Sequence, residues 1–179
     1  MVLLLSMLMA CGSGTIGSSD DDDDGGSEVT DDTGTPTDDA LCINELMPDN
    51  QGSLIEDDET PDWLELYNAE FQTISLVGWT LQVDGGTLVP LDALEELEAT
   101  EPLLLLADGV DDVGDGHLPV SLDADGGTVV LTGPNGTGER INYGLVQPNH
   151  SVARETDCCA GSECLVYDYA GTPGEENGE

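Results

Sequence analysis

Two short apolar segments, each bounded by turn-forming residues, constrain the fold of this chain more than any other feature. They cover residues 42–47 (CINELM) and 61–68 (PDWLELYN). In the second segment, Leu64 and Leu66 would face one side of a strand, and the residues that alternate with them the other side. Short apolar runs of this kind are typical of half-buried strands, and the acidic stretch between the two runs predicts a loop.

Similar segments follow one another along the chain, separated by Asp-Gly and Asn-Gly pairs that favour tight turns. Residues 103–106 are apolar on both faces and predict a central strand, whereas residues 91–99 predict a single helical turn. Many short strands with frequent turns are typical of an all-β sandwich, and about 135 residues suffice to bury its core. We predict strands at 41–47, 62–68, 73–76, 78–83, 87–90, 102–107, 118–122, 127–132, 139–144, 150–154 and 164–168.

The residues of the first two segments, I-N-E-L-M and D-W-L-E-L-Y-N, resemble the opening of the bacterial form of the lamin tail domain. The resemblance covers about residues 41–177 and is most specific in its first third. It implies an immunoglobulin-like β-sandwich over residues 41–179 with a binding or structural role. Later segments that match the family are Gly78-Trp79-Thr80-Leu81, residues 103–106, Gly127-Thr128-Val129-Val130-Leu131, Asn142-Tyr143-Gly144 and Gly171-Thr172-Pro173-Gly174.

The first ten residues, MVLLLSMLMA, form an apolar run that is too short to span a bilayer. The sequence Leu8-Met9-Ala10-Cys11 resembles the lipobox of bacterial lipoproteins. That resemblance implies a signal peptide over residues 1–10, cleavage before Cys11 and a diacylglyceryl anchor on the Cys11 thiol. The alternative is a chance apolar N-terminus with an unpaired cysteine.

Residues 11–40 carry the cysteine of the lipobox and a linker to the β domain. Residues 12–40 are dominated by Gly, Ser, Thr and Asp, and they include ten acids but no aromatic residue. Because too little apolar surface is present to offset chain entropy, we predict a disordered acidic tether.

The charge balance argues against one class of partner. The chain has 39 acidic residues against two basic ones, Arg140 and Arg154, and a formal net charge of −37. Since phosphate binding requires clustered Lys and Arg, we expect no nucleic-acid partner and repulsion from anionic lipid headgroups. Attraction of cations, or solubility alone, would explain such a surface.

The cysteine pattern predicts disulfide bonds. With Cys11 assigned to lipid, four cysteines remain, which is an even number in an exported protein. Adjacent cysteines seldom bond to each other, so Cys42 is expected to pair with Cys158, Cys159 or Cys164. Zinc binding is the alternative, but the spacing lacks the Cys-x-x-Cys units of zinc sites.

A crowd of carboxylates in and beside the first loop suggests a calcium site, because calcium takes about six to eight hard oxygen ligands. The aspartates within residues 108–115 would form a second candidate loop. The alternative is a solvated acidic surface in which Glu45 and Asp62 accept backbone hydrogen bonds at the base of the loop. The residues of the predicted calcium site are Glu45, Asp49, Asp57, Asp58, Asp62 and Glu65.

The sequence contains no familiar catalytic motif. Its two histidines, His117 and His150, lie in turn-rich stretches, and neither a Gly-x-Ser-x-Gly elbow nor a His-Glu-x-x-His motif is present. Apart from calcium we expect no cofactor. We expect a non-enzymatic binding or structural module on a lipoprotein of the bacterial cell envelope, lipid-anchored in the outer membrane or at the cell surface, with a surface or extracellular partner. The alternative is an accessory component of a secreted or envelope hydrolytic enzyme system.

Overall fold

The regular secondary structure of the described residues consists almost entirely of short strands. The computed structural model describes residues 41–161, 164–168 and 170–178. The predicted signal peptide, the predicted lipid attachment at Cys11 and the predicted tether lie outside these residues. The strands are β1 (Leu41–Met47), β2 (Trp63–Asn68), β3 (Ile74–Ser75), β4 (Thr80–Val83), β5 (Val89–Pro90), β6 (Glu96–Leu97), β7 (Pro102–Leu106), β8 (Gly127–Thr132), β9 (Gly138–Tyr143), β10 (Ser151–Arg154) and β11 (Leu165–Asp168).

These strands form three antiparallel sheets, which confirms the all-β class. One sheet has five strands in the order β11-β10-β1-β2-β7, one has four in the order β5-β4-β8-β9, and β3 pairs with β6. A single cluster of buried apolar side chains draws on both large sheets, with Leu46 and Leu66 from the five-stranded sheet and Leu81 and Leu131 from the four-stranded one. Hydrophobic burial between these two sheets is therefore the main stabilising contribution.

The two large sheets differ in how their strands are covered. In β4 the buried residues alternate with half-exposed ones, as expected of a strand with one solvated face. Every residue of β1 and β2 is instead buried. As predicted, Leu64 and Leu66 face the shared core, and Trp63 lies on the opposite side in a second cluster with Met47 and Leu106. We call this opposite side of the five-stranded sheet the outer face.

One predicted strand is absent, and another is present but at a different position in its sheet; the cause is the same in both. Residues 118–122 form no strand, although Leu118 and Leu122 are buried in the shared core. The apolar residues of β7 predicted a central strand, but β7 lies at an edge of its sheet. Its leucines are apolar on both faces because the outer face is also covered. In both cases the apolar residues correctly indicate burial, but they indicate neither a strand nor a central position in a sheet.

Helical structure in the described residues comprises 3-10 turns at Asp92–Leu94 and Val113–Asp115 and a 3-10 residue at Cys164. The first is the single helical turn that the sequence predicted, and the short strand β6 follows it. Within the same residues no helix is long and apolar enough to span a membrane.

Candidate functional site

The carboxylates of the predicted calcium site do not meet at one point. Glu45 and Glu65 lie within the five-stranded sheet and are fully buried. Asp57 and Asp62 line a surface cavity instead, and Asp58 is exposed to solvent. Across the described residues, no group of three or more His, Cys, Asp or Glu side chains is arranged to hold a metal ion. The structure thus places Glu45 and Glu65 in surroundings different from those of Asp57 and Asp62.

The first region is the outer face at β1 and β2, where Glu45 lies directly opposite Glu65 in the strand register. Residues 171–178, which we call the strap, cover both carboxylates. The Thr172 N–H donates to Glu45 at 3.1 Å, and the Thr172 hydroxyl lies 2.8 Å from Glu45 Oε2. The Gly174 N–H donates to Glu65 Oε2 at 2.8 Å. These two side chains therefore bind the backbone of the strap.

Three further polar side chains complete this network. Asn44 lies at a β-bulge of β1, and its Nδ2 donates to Glu65 Oε1 at 3.1 Å and to Asp157 Oδ1 at 2.8 Å. Asp157 Oδ1 also accepts the N–H of Asn177 at 2.9 Å. Asn177 returns a hydrogen bond to the backbone carbonyl of Asn44 at 3.3 Å. Buried polar groups need partners of this kind, so the network fixes both ends of the strap.

The first residue of the strap must be glycine. Gly171 has a φ of +63°, a conformation that L side chains rarely adopt. A Cβ atom there would lie 2.9 Å from both Met47 Cε and Trp63 Cζ2, closer than carbon atoms approach without displacement. The backbone of the strap therefore packs directly on the apolar part of the outer face.

The environment under the strap changes the acidity of Glu65. The pKa of Glu65 is raised to about 7, chiefly by burial; hydrogen bonds from Asn44 and Gly174 oppose the shift, and the charges of Glu45 and Asp157 add to it. Burial disfavours the charged form of a carboxyl group because the interior solvates it poorly. Proton binding at Glu65 is thus coupled to the closed strap.

Two disulfide bonds lie at the start of the C-terminal segment. The structure joins Cys42 to Cys158 and Cys159 to Cys164, which is one of the pairings that the sequence left open. The Cys42–Cys158 bond attaches the chain that leads to the strap to the second residue of β1. It therefore places Asp157 beside Asn44.

One of the two basic residues is used inside the domain. Arg154 is buried, and its guanidinium group donates to the carbonyls of Ile43 and Cys159 and forms an ion pair with Glu139. The other carboxylate oxygen of Glu139 accepts the N–H of Ile43. This pair ties β9 of one sheet to β1 and β10 of the other. Of the two bases, Arg140 alone is exposed.

The second region is a cavity of about 570 Å³ between two loops. Both acidic loops identified in the sequence contribute to it, because β7 ends beside the first loop and leads into the second. Backbone hydrogen bonds from Leu106 to Gly116 and from Leu118 to Leu106 hold the second loop against β7. The cavity is lined by Glu56, Asp57, Glu59, Thr60, Pro61, Asp62, Leu106, Ala107, Asp108, Val110 and His117.

A histidine and an aspartate form a pair on the cavity wall. His117 Nδ1 lies 2.6 Å from Asp108 Oδ2. That hydrogen bond raises the pKa of His117, and the charges of Asp108, Asp112 and Glu56 act in the same direction. The cavity thus combines an excess of carboxylates with a histidine that binds a proton more readily than usual.

Asn50, which is buried, organises the first loop. Its Oδ1 accepts the N–H groups of Gly52, Ser53 and Leu54. Its Nδ2 donates to the carbonyls of Leu54 and Pro61 at 2.7 and 2.8 Å. The only signal for this role in the sequence is the tendency of Asn to bond local backbone in turns.

Asp62 accepts the Asn50 N–H at 3.1 Å. This is the backbone contact at the base of the loop that the solvated-surface alternative expected of Asp62. Burial raises the pKa of Asp62 from its usual value, and the charge of Asp49 adds to the effect, while the hydrogen bond from Asn50 opposes it. Glu45 also accepts a backbone hydrogen bond, but from Thr172 of the strap rather than from the loop.

Comparison with known proteins gives no family for this chain. No family model matches it, and no curated protein matches it.

Proposed function

We propose that the chain is a lipoprotein of the bacterial cell envelope that displays a non-catalytic binding module. In this proposal a diacylglyceryl group on Cys11 anchors the chain in the outer membrane or at the cell surface, and the acidic tether separates the anchor from the module. The module is a lamin-tail-like, immunoglobulin-like β-sandwich. Support for the sandwich comes from the single core shared by the two large antiparallel sheets and from the family-like segments in the sequence.

We further propose that the acidic cavity binds a cationic group of a surface or extracellular partner. The observation that carries this proposal is the convergence of five carboxylates from two separate loops around one cavity. Leu106, Ala107 and Val110 add an apolar wall beside these acids. A lysine or arginine side chain has the matching chemistry, with an apolar stem and a charged head. Nucleic acid is not a partner in this proposal, since its phosphates would be repelled.

The experiment compares binding of an oligolysine peptide to the wild-type protein and to Asp57→Asn/Glu59→Gln/Asp108→Asn. We expect the triple variant to lose most of the affinity. The control, Glu95→Gln/Glu96→Gln/Glu101→Gln, removes the same number of negative charges from exposed positions outside the cavity. If both variants lose affinity equally, binding reflects net charge alone and the cavity is not the site.

A calcium arm of the same experiment tests the predicted metal. Melting temperatures are compared in calcium, in chelator and in sodium chloride of matched ionic strength, because general screening also stabilises an acidic protein. If calcium raises the melting temperature more than sodium chloride does, and Asp57→Asn/Asp108→Asn abolishes that difference, the cation bound in the cavity is calcium. Equal shifts in the two salts would leave an organic cation as the ligand class.

The envelope location is tested by Cys11→Ala, which should move the protein from membranes to the soluble fraction. A pull-down from envelope extract should then recover a basic surface partner. Recovery of a secreted hydrolase instead would favour the alternative, an accessory component of an enzyme system.

A further inference from the structure

The contacts of the strap are those of a bound peptide rather than of a strand. Its residues have no strand conformation, and its N–H groups at Thr172 and Gly174 donate to side-chain carboxylates of Glu45 and Glu65. A chain that joins a sheet bonds to its backbone edge, whereas this one lies across the face of two strands. The strands supply a receptor made of side chains, and the strap supplies backbone donors to it.

The outer face also selects for particular residues at the first two positions of the strap. Gly171 is required by its positive φ and by the contacts that a Cβ would make with Met47 and Trp63. The Thr172 hydroxyl lies within hydrogen-bond distance of both Glu45 Oε2 and Asn177 Oδ1, at 2.8 and 2.9 Å. Recognition of a small residue followed by a hydroxyl is therefore built into the face.

We propose that the outer face of β1 and β2 is a peptide-binding site for Gly-Thr-Pro-Gly segments, which the chain's own strap fills here and which the strap of a second copy can fill in its place. The ligand class is a peptide with backbone donors at its second and fourth residues. A covalently attached strap competes at an effective concentration in the millimolar range, so exchange between copies requires that the first strap be released.

The site should persist when the strap is removed. Asn44, Glu45 and Glu65 belong to β1 and β2, which pair along their length in the centre of the sheet. Asp157 precedes the strap and is held beside β1 by the Cys42–Cys158 bond. A chain that ends at Ala170 therefore keeps the side chains that contact the strap, except for those of the strap itself.

The test uses the full chain ending at Ala170, with its disulfides oxidised, and a synthetic peptide of residues 171–178. We expect the peptide to raise the melting temperature with increasing concentration. Trp63 is buried under the strap, so its fluorescence emission should shift to shorter wavelength when the peptide binds. A peptide with Gly171→Ala should bind about 5- to 30-fold more weakly, because a left-handed conformation and a contact with Trp63 oppose it. A scrambled peptide of the same charge is the control.

A second variant covers the case in which the shortened chain does not fold. Full-length Gly171→Ala retains every other residue but disfavours its own strap, and the wild-type peptide should bind to it. If the shortened chain is unfolded, refolding on addition of the peptide would support the proposal. The absence of binding to both variants, or equal effects of the wild-type and scrambled peptides, would overturn it.

Discussion

The covered outer face and the open cavity use the same residue types for opposite purposes. Under the strap, Glu45 and Glu65 are fully buried and accept hydrogen bonds from backbone N–H groups and Asn44. In the cavity, Asp57 and Glu59 are exposed to solvent. Burial with donors makes a carboxylate part of the fold, whereas exposure leaves it available to a ligand. The position of a carboxylate, and not its identity, decides its role.

The largest expected effect follows from removing the Cys42–Cys158 bond, which holds the covered region in place. Cys42→Ala/Cys158→Ala opens a link between residues 116 apart, which should lower the free energy of unfolding by about 4–5 kcal/mol in the chain-entropy treatment. Cys159→Ala/Cys164→Ala, which removes a link across a separation of only 5, should cost about 2 kcal/mol. Urea unfolding followed by circular dichroism measures both. Equal losses would show that the Cys42–Cys158 bond has no special part in holding the outer face.

The second effect concerns pH. The pKa of Glu65 is raised in the folded protein, to about 7 from the usual 4.5. Its contribution to stability is therefore fully present below about pH 4.5 and is lost as the pH rises through 7. Stability should therefore fall by up to about 3 kcal/mol over this range on account of Glu65. Glu65→Gln should flatten the profile of unfolding free energy against pH.

The control for this profile is Asp57→Asn, an exposed acid of the cavity. It should keep the wild-type pH profile. If Asp57→Asn and Glu65→Gln flatten the profile to the same extent, burial does not distinguish the two regions.

A third effect tests the first loop, part of which lines the cavity. Asn50→Ala removes the acceptor for three backbone N–H groups and both donors to carbonyls, and we expect a loss of about 2 kcal/mol from groups left without partners. Asn135→Ala, in the exposed turn between β8 and β9, should change stability by less than about 0.5 kcal/mol. Thermal unfolding of the two variants decides the matter, and similar melting temperatures would mean that Asn50 does not organise the loop.

The smallest effect concerns the histidine of the cavity. The pKa of His117 is raised by its hydrogen bond to Asp108, so the stabilisation that it provides is present below pH 6.5 and is lost as the pH rises through the raised value. For a partly exposed pair it should amount to less than about 1 kcal/mol. In an NMR titration, Asp108→Asn should shift the His117 midpoint to lower pH, whereas the distant Asp125→Asn should not. An unchanged midpoint in Asp108→Asn would exclude the pair as the cause.

The sequence predicted most strands because side-chain alternation reports one buried face. The same signal failed at residues 118–122, where Leu118 and Leu122 are buried from a loop. It could not place β7 in its sheet, because Leu106 is buried on the outer face as well, with Met47 and Trp63. At β1 and β2, the outer face is covered by residues far away in the chain. Glu45 and Thr172, for example, are separated by 127 residues, and no local pattern encodes such a contact. Of the cavity acids, Asp57 and Asp62 belonged to the predicted calcium set, but their separation from Glu45 and Glu65 required the fold.

The Cys42–Cys158 bond also determines how the domain would respond to tension. β1 begins at Leu41, so a pull on the preceding residues reaches Cys42 after a single step and crosses the bond to Cys158. A load between the two chain ends then bypasses the strands enclosed by the bond. The separation of 116 residues corresponds to roughly 400 Å of extended chain that cannot be drawn out while the bond is intact. Pulled at its ends, the domain can lengthen only by the residues that follow Cys158, and only a reducing environment would release the longer segment that the bond encloses.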